Sequence, residues 1–319
     1  MVAVLSAVGS ALAWFLVRYF IVVVMFYLLA YVSPLAGFAA RTLASWIALV
    51  FCAIYGVFAS IALRLSGGSR WQSAQWATAR AFKFTMSLLT GITFEVEDPH
   101  DYLGGTRPAV FVGNHQTALD VLMLGCMFPK YCSVTAKSSL RNYPFLGWFM
   151  RLSGTIFIDR ANSKDARSAM RGAADAILSQ RQSVYMFPEG TRSYAQEATL
   201  LPFKKGAFHL AVQAGVPVVP VVVANYSHLY STGKLRFLPG KIPIKVLEPI
   251  PTTGLTTDDV TALTESVREA MLQELGPLTI QGRAQALATA TKGSKSAPIA
   301  VPAPTTAASD KGTSSGVSL

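Results

Sequence analysis

The sequence predicts an α/β fold: a mixed, partly parallel sheet flanked by helices, preceded by an N-terminal membrane-anchoring helical region. Three observations carry that prediction. Residues 1–69 contain no Asp, Glu or Lys, and their only charged side chains are Arg18, Arg41 and Arg64. Further along, short β-rich runs alternate with helical ones, the order that builds strand-helix-strand crossovers. Polar clusters follow several of those runs at once, where an α/β sheet collects its functional groups.

Residues 19–40 and 43–63 are each nearly unbroken apolar stretches. About 20 residues rising about 1.5 Å each suffice to cross a hydrocarbon core of about 30 Å. Residues 1–69 are therefore expected to form two transmembrane helices, with a membrane-embedded or interface-lying helical hairpin as the alternative. The apolar stretch before Arg18 is short, an interfacial helix or an extension of the first span. A signal peptide fits poorly, because a second long apolar run follows directly. Arg64, Arg70, Arg80 and Lys83 all follow the second run, which places the main domain on the cytosolic face. In residues 70–90, aromatics and aliphatics mix with Arg80 and Lys83 at roughly helical spacing, as in an amphipathic helix lying on the bilayer. An ordinary core-facing helix is the alternative.

Residues 70–280 read as the α/β domain. Strands are expected at 108–113, 131–136, 155–159, 183–187, 216–226 and 241–248, and helices at 163–180, 203–214 and 257–275. Residues 281–319 are rich in Ala, Thr, Ser, Pro and Gly and lack aromatics, so disorder is expected there.

Of the formal net charge of +11, residues 1–69 and 281–319 each carry +3, leaving +5 for the domain. The cations form no dense stripe interleaved with aromatics, so no nucleic-acid partner is expected, whereas a membrane-attached domain handling anionic lipid needs such a bias. Cys52, Cys126 and Cys132 sit in apolar sequence and read as packing residues, and no ligand cluster suggests a metal. The sequon Asn225-Tyr226-Ser227 has apolar surroundings that argue against glycosylation.

The segment "GNHQTALD" (113–120) holds His115 and Asp120. On one continuous helix a spacing of five would turn them about 140° apart, too far to hydrogen-bond. The histidine must therefore precede the helix, with a strand ending near Gly113 and Thr117 as N-cap. Asp120 then lies in the first turn and can face back toward the imidazole. Thr117-x-x-Asp120 also resembles a capping box, so the carboxylate could be structural. Other strand ends add cations: "GTIFIDR" (154–160) brings Arg160, "FPEGTRS" (187–193) brings Glu189 and Arg192, and "LPFKKGAFHLA" (201–211) brings Lys204 and Lys205 at a helix start. A guanidinium is a planar fork matched to phosphate oxygens, and free helix N–H groups favour an anion.

These motifs, with "VPVVPV" (216–221), resemble in order and spacing the glycerolipid acyltransferases of the lysophosphatidate acyltransferase type, over roughly residues 70–275. "AKSSLRNYPFLGW" (136–148) is similar too, although Ser138 and Ser139 stand where the family often has a further charged residue, leaving Lys137 as the basic residue there. The resemblance implies an acyl-CoA-dependent enzyme that acylates the sn-2 hydroxyl of 1-acyl-sn-glycerol 3-phosphate. It implies His115 as general base oriented by Asp120, and Glu189, Gly190, Thr191, Arg192, Arg160, Lys137 and Lys205 at the glycerol phosphate. Val218, Val219 and Pro220 would border the acyl chain, though core packing explains them equally well. Main-chain N–H groups near the first motif are candidate oxyanion donors. The implied partners are acyl-CoA as co-substrate with no cofactor, lysophosphatidate and the bilayer. Glycerol 3-phosphate or another lysophospholipid is the alternative acceptor, and a non-catalytic anionic-lipid-binding protein the alternative of another class. The implied location is the endoplasmic reticulum membrane with the domain facing the cytosol, or else a bacterial inner membrane.

Overall fold

A computed structural model describes residues 2–159 and 163–293. The elements in chain order are α1 (Val2–Leu29), α2 (Pro34–Leu65), a 3-10 turn (Gly68–Ser73), α3 (Ala74–Thr90), β1 (Ile92–Glu97), α4 (Tyr102–Gly105), β2 (Val110–Gly113), α5 (Asp120–Met127), β3 (Cys132–Lys137), a second 3-10 turn (Ser138–Asn142), α6 (Leu146–Leu152), β4 (Ile156–Ile158), α7 (Ser163–Gln180), β5 (Ser183–Met186), α8 (Gly206–Ala214), β6 (Val218–Val223), β7 (Tyr230–Ser231), β8 (Arg236–Phe237), β9 (Gly240–Val246) and α9 (Val260–Gly293).

The two N-terminal helices divide earlier than hydropathy suggests. The break falls just before Pro34, which holds the first helical position of α2 while the Ser33 hydroxyl accepts from the Ala36 N–H. Arg41, read as the boundary between two apolar runs, lies inside α2 and donates to the Thr90 and Gly37 carbonyls at 3.1 and 3.2 Å. Ala36, Ala40, Ala44, Ala48 and Cys52 recur every four residues and form a buried stripe along α2, which packs on α3. Small side chains there let the backbones approach; a Cβ on Gly56 would lie 2.5 Å from the Phe149 ring. At the far end Arg64 donates twice to the Leu152 carbonyl, at 2.9 and 2.7 Å. Thus α2 is fastened to the domain from Arg41 to Arg64. Ser6–Leu29 and Pro34–Leu65 are both long and apolar enough to cross a membrane, yet α1 leaves Trp14, Phe15, Phe20 and Leu28 exposed.

α3 combines the two readings of residues 70–90. Phe82 and Met86 are buried against α2 and α5, while Phe84 and Leu88 face outward. Arg80 donates to the carbonyls of Cys126 and Phe128, which ties α3 to the end of α5.

The sheet has the order β1-β9-β6-β2-β5-β3-β4, parallel throughout except where β6 meets β9. Val110, Phe111 and Val112 of β2, Val184 of β5, and Val218 and Val219 of β6 are at most 1% exposed, so the central strands are covered on both faces. Each such aliphatic side chain contributes about 1.5–3 kcal/mol of transfer free energy. Because β2, β5, β3, β4 and β6 run the same way, their C-terminal ends share one edge. The six expected strands all occur, with ends shifted by up to three residues: most are shorter, while β3 extends to Lys137 and β9 starts at Gly240. The strand β1 was not expected, because its sequence ITFEVE carries two glutamates on an edge strand, nor was the small β7–β8 ribbon, which packs on α2.

The last helix corrects a boundary. It runs to Gly293 instead of ending near residue 275, past the position where composition started a disordered tail. Lack of aromatics argues against a core but not against a helix, and alanine is the best helix former. Ala286 packs on the core, and Gly282 lies against Pro243. Residues 294–319, the rest of that expected tail, lie outside the described residues.

Candidate active site

Strand β2 ends at Gly113, where nothing larger fits. A Cβ there would lie 1.9 Å from the Tyr185 hydroxyl of the adjacent β5. Beyond it, Asn114 extends the pairing with its side chain, donating to the Val223 carbonyl and accepting the Val223 N–H, each at 2.9 Å. Gln116 donates to the carbonyls of Val223 and Ala224. His115 lies between these two clamps. Its segment is thus bolted to β6 on both sides.

The helix α5 begins at Asp120, later than an N-cap at Thr117 would give. Thr117 caps nothing further along; its hydroxyl oxygen accepts the Leu119 N–H at 3.0 Å. The Asp120 carboxylate reaches back instead. Its Oδ2 accepts the Gln116 and Thr117 N–H groups at 2.7 and 3.1 Å and stands 2.7 Å from His115 Nδ1. The capping and orienting roles read from the sequence therefore coincide in one oxygen. As Asp120 is 1% exposed and can only accept when ionised, the imidazole proton belongs on Nδ1 and Nε2 is left with a free lone pair. The ring stacks on Phe187, centroids 4.1 Å apart and planes inclined by 20°, with 18% of the side chain exposed.

The Glu-Gly-Thr-Arg turn is tied to the same residue. Ser193 N donates to the His115 carbonyl at 2.9 Å and Tyr194 N to the Gln116 carbonyl at 3.1 Å, so Arg192 is one residue from a direct link to His115. Glu189 is 3% exposed, and each of its oxygens holds a main-chain donor: His115 N at 2.6 Å and Leu201 N at 3.0 Å. Its carboxylate therefore serves first as a strap, not as the free glycerol acceptor expected from sequence. Burial pushes its pKa above the usual carboxylate value, against the opposing pull of those two N–H groups and of His115.

Gly190 turns with φ of +69°, and the Lys204 side chain lies across it; a Cβ there would come within 2.9 to 3.0 Å of Lys204 Cδ, Cε and Nζ. Lys204 is thus the cation over the turn. Lys205 points elsewhere, its Nζ donating to Thr261 at the start of α9 at 2.7 Å. Thr191 and Arg192 are exposed, and Arg192 reaches the Tyr194 hydroxyl at 3.4 Å. Lys137 ends β3 on the same sheet edge, with β5 between it and the histidine strand. Arg160 lies outside the described residues. Val218, Val219 and Pro220 are buried in register with Val110, Phe111 and Val112, which makes them core of the sheet.

Main-chain donors near the first motif are already spent: the N–H groups of His115, Gln116 and Thr117 all serve carboxylates. Sequence reasoning also missed Tyr226, whose hydroxyl lies 2.6 Å from Asp120 Oδ1. Its segment carried only the sequon signal. Asn225 is 3% exposed, with its amide donated to the Ala195 and Glu197 carbonyls, so it is a structural residue. Next to Tyr226 a cavity of about 210 Å³ opens, lined by Gln116, Thr117, Tyr194, Tyr230 and Ser231 among others.

Residues 94–224, from β1 to just past β6, match the family described as Acyltransferase. The chain is 44% identical to the 1-acyl-sn-glycerol-3-phosphate acyltransferase of Saccharomyces cerevisiae over 229 residues, 72% of this chain and 74% of that one. It is 43% identical to 1-acyl-sn-glycerol-3-phosphate acyltransferase alpha of Homo sapiens over 195 residues, 61% of this chain and 68% of that one. The crystal structure of the 1-acyl-sn-glycerophosphate (LPA) acyltransferase PlsC from Thermotoga maritima aligns with a TM-score of 0.55 at 25% identity, covering 81% of this chain and 96% of that one.

Proposed function

Since the chain belongs to the glycerolipid acyltransferases of the lysophosphatidate acyltransferase type and is a 1-acylglycerol-3-phosphate O-acyltransferase, we propose that its acyl donor is acyl-CoA and that His115 is the general base. The sn-2 hydroxyl of lysophosphatidate attacks the thioester carbonyl while His115 Nε2 takes the hydroxyl proton. Collapse of the tetrahedral intermediate breaks the C–S bond, and the imidazolium returns the proton to the departing sulfur, giving phosphatidate and free CoA. No acyl-enzyme forms. Asp120 holds the Nδ1–H tautomer and offsets the positive charge that develops on the ring.

The observation that carries this reading is the 2.7 Å contact between His115 Nδ1 and a buried Asp120, made on the residue to which the Glu-Gly-Thr-Arg loop is hydrogen-bonded. Arg192 and Lys204 are the cations we assign to the phosphate, with Lys137 further along the edge and Arg160 retained on the sequence motif alone. Lys205 is left out because of its bond to Thr261.

The helix pair seats the domain on the bilayer. A helix of 32 residues spans about 48 Å, and α2 is pinned to the domain over most of that length, so a membrane-embedded hairpin suits it better than two independent spans. The β7–β8 ribbon packs on α2 and also borders the cavity beside Tyr226, giving a lipid substrate a short path from the membrane. Acyl-CoA from the cytosol suits a cytosolic face of the endoplasmic reticulum, and the yeast and human relatives favour that setting over a bacterial inner membrane.

The test is one labelled acyl-CoA offered with a panel of acceptors: lysophosphatidate, glycerol 3-phosphate, and lysophospholipids with larger headgroups. Labelled phosphatidate and an equal amount of free CoA thiol are expected from the first acceptor. A preference for any other acceptor overturns the substrate, and transfer from other thioesters but not from acyl-CoA overturns the donor. Binding of anionic lipid with no thiol release would favour the non-catalytic alternative.

A further inference from the structure

We propose that Tyr226 is a positioning residue for acyl transfer: its hydroxyl fixes the second oxygen of Asp120 and closes that carboxylate off from the adjacent cavity, so that His115 is held in one orientation. The proposal rests on the reading of His115 as general base.

The two oxygens of Asp120 are held unequally. Oδ2 has three donors, His115 Nδ1, Gln116 N and Thr117 N, all from its own loop. Oδ1 accepts from the Tyr226 hydroxyl at 2.6 Å, across 106 residues of sequence. The torsion that turns a carboxylate is broad and two-fold, so a partner on the second oxygen is what fixes the plane of the first. Hydrogen-bond direction is fixed as well. Leu119 N donates to Thr117 Oγ1, which leaves the Thr117 hydroxyl proton for Tyr226 at 2.9 Å, and the Tyr226 proton for Asp120. The chain runs one way, from helix entrance to carboxylate.

Tyr226 itself has no freedom to drift. It is 1% exposed, and its ring meets Phe94 edge-on at 6.4 Å and 89°. Burial and the charge of Asp120 push its hydroxyl well above the ordinary tyrosine range, so it remains a donor through any pH at which the enzyme is assayed. The cavity of about 210 Å³ begins at this ring and at Thr117. Without the hydroxyl, water from the cavity could reach Oδ1.

Other titratable groups around the pair are Tyr185 on β5, whose buried hydroxyl feels the Asp120 charge, Glu189, Arg192 and Tyr194 on the following loop, and Tyr230 on β7. Of these tyrosines, Tyr226 is the one whose hydroxyl is bonded to Asp120. Removing that donor concentrates the carboxylate charge and strengthens its hold on the imidazole proton. The rate should then fall off, on the acid side, at a higher pH than in the wild type.

The experiment compares Tyr226→Phe, Thr117→Ala and Phe94→Leu in the full chain, measuring kcat, KM for lysophosphatidate and the pH profile of kcat. For Tyr226→Phe we expect a kcat loss of about tenfold, by analogy with the low end of the roughly 10- to 100-fold cost of removing an outer partner that orients a metal-ligating histidine. KM should stay within about twofold, and the acid limb should move upward. Thr117→Ala, which releases the tyrosine hydroxyl, should move the limb the same way by less. Phe94→Leu keeps the hydroxyl and should leave the limb in place even if the fold is less stable. Wild-type kcat in Tyr226→Phe, or lost activity with an unmoved limb, overturns the proposal; if that variant does not fold, the limb in Thr117→Ala decides by the same criterion. Retention of activity in His115→Ala would instead overturn the general-base reading.

Discussion

Around His115 and Asp120 the polar contacts are made within the protein, by buried or half-buried groups at 2.6 to 3.1 Å. Around Arg192 and Lys204, a few residues away, the cations are exposed, and Arg192 reaches only as far as a tyrosine hydroxyl at 3.4 Å. The difference follows from what each half must do. Proton transfer depends on angle and distance at the reacting atom, so its partners are ordered when the chain folds and cost nothing at the moment of reaction. Charges that capture a lipid phosphate must meet a ligand arriving from outside, and they stay hydrated until it does. The prediction is that damage to the first half appears in kcat and damage to the second in KM.

The largest effect tests the first half. His115→Ala should lose at least about 10²-fold and up to about 10⁴-fold in kcat while the far-ultraviolet circular dichroism stays native. Activity within tenfold of wild type would remove the base. Asp120→Asn is more discriminating. The three donors on Oδ2 require the amide oxygen to occupy that position, which leaves the amide NH2 facing Tyr226, whose hydroxyl can turn and accept it. His115 then keeps its tautomer and loses only the neighbouring charge. The expected loss is about 10²-fold, the low end of that range. A loss as great as that of His115→Ala would mean that the asparagine had flipped and the tautomer with it.

The contrast between the halves was only partly legible in the sequence. The spacing of five forced His115 out of the helix, and the structure places it so, because helical geometry leaves no other way for the pair to meet. The Glu-Gly-Thr-Arg turn was legible as a strand-end loop, but not the burial of Glu189, since an acidic residue in a Gly-containing turn is ordinarily exposed. Tyr226 was invisible because its bond to Asp120 crosses 106 residues and carries no local pattern. In α2 the signal was present and outvoted: Ser33-Pro34 marks a helix start, and alanines every four residues mark a packed face, yet a hydropathy run registers neither. The same limit explains why α1 and α2, both apolar enough to cross a membrane, differ so much in burial, α2 alone carrying a buried alanine stripe. Lys204 and Lys205 are adjacent in sequence, and only the fold sends one over Gly190 and the other to Thr261.

Those two lysines and Arg192 sharpen the comparison with an intermediate effect. Arg192→Ala should raise KM for lysophosphatidate about 10- to 100-fold with kcat within a few fold, as expected for a charge-assisted bond of about 1.5–3 kcal/mol made equally in ground and transition states. Lys204→Ala should act in the same direction by less, since an ammonium cannot form the bidentate fork. Lys205→Ala should change KM by less than twofold. If Lys205→Ala outweighs Lys204→Ala, the side-chain directions seen here do not describe the substrate-bound enzyme, and the binding half rearranges more than the first half permits.

The smallest effect concerns the loop that joins the two halves. From this loop, residues 224–229, Tyr226 reaches Asp120, while Asn225 and Ser227 hold the carbonyls of Ala195 and Gln196 beyond the Glu-Gly-Thr-Arg turn. His228 lies in the same loop, half-buried, and burial lowers its pKa below the ordinary 6.5, assisted by the positive charges of Arg283 and Arg236. Its folded value lies below its unfolded one, so as pH falls below about 6.5 the unfolded chain takes up the proton first. The stability tied to a neutral His228 is therefore complete above that pH and drains away as the pH drops through the folded value. Heating the protein at pH 7.5 and at pH 5.5 should show a loss in Tm at the lower pH on the order of 1–2 °C from this group. His228→Leu cannot take up that proton, and the gap between the two melting temperatures should narrow by the same amount. An unchanged gap would mean that the seam between the halves does not sense protonation at His228.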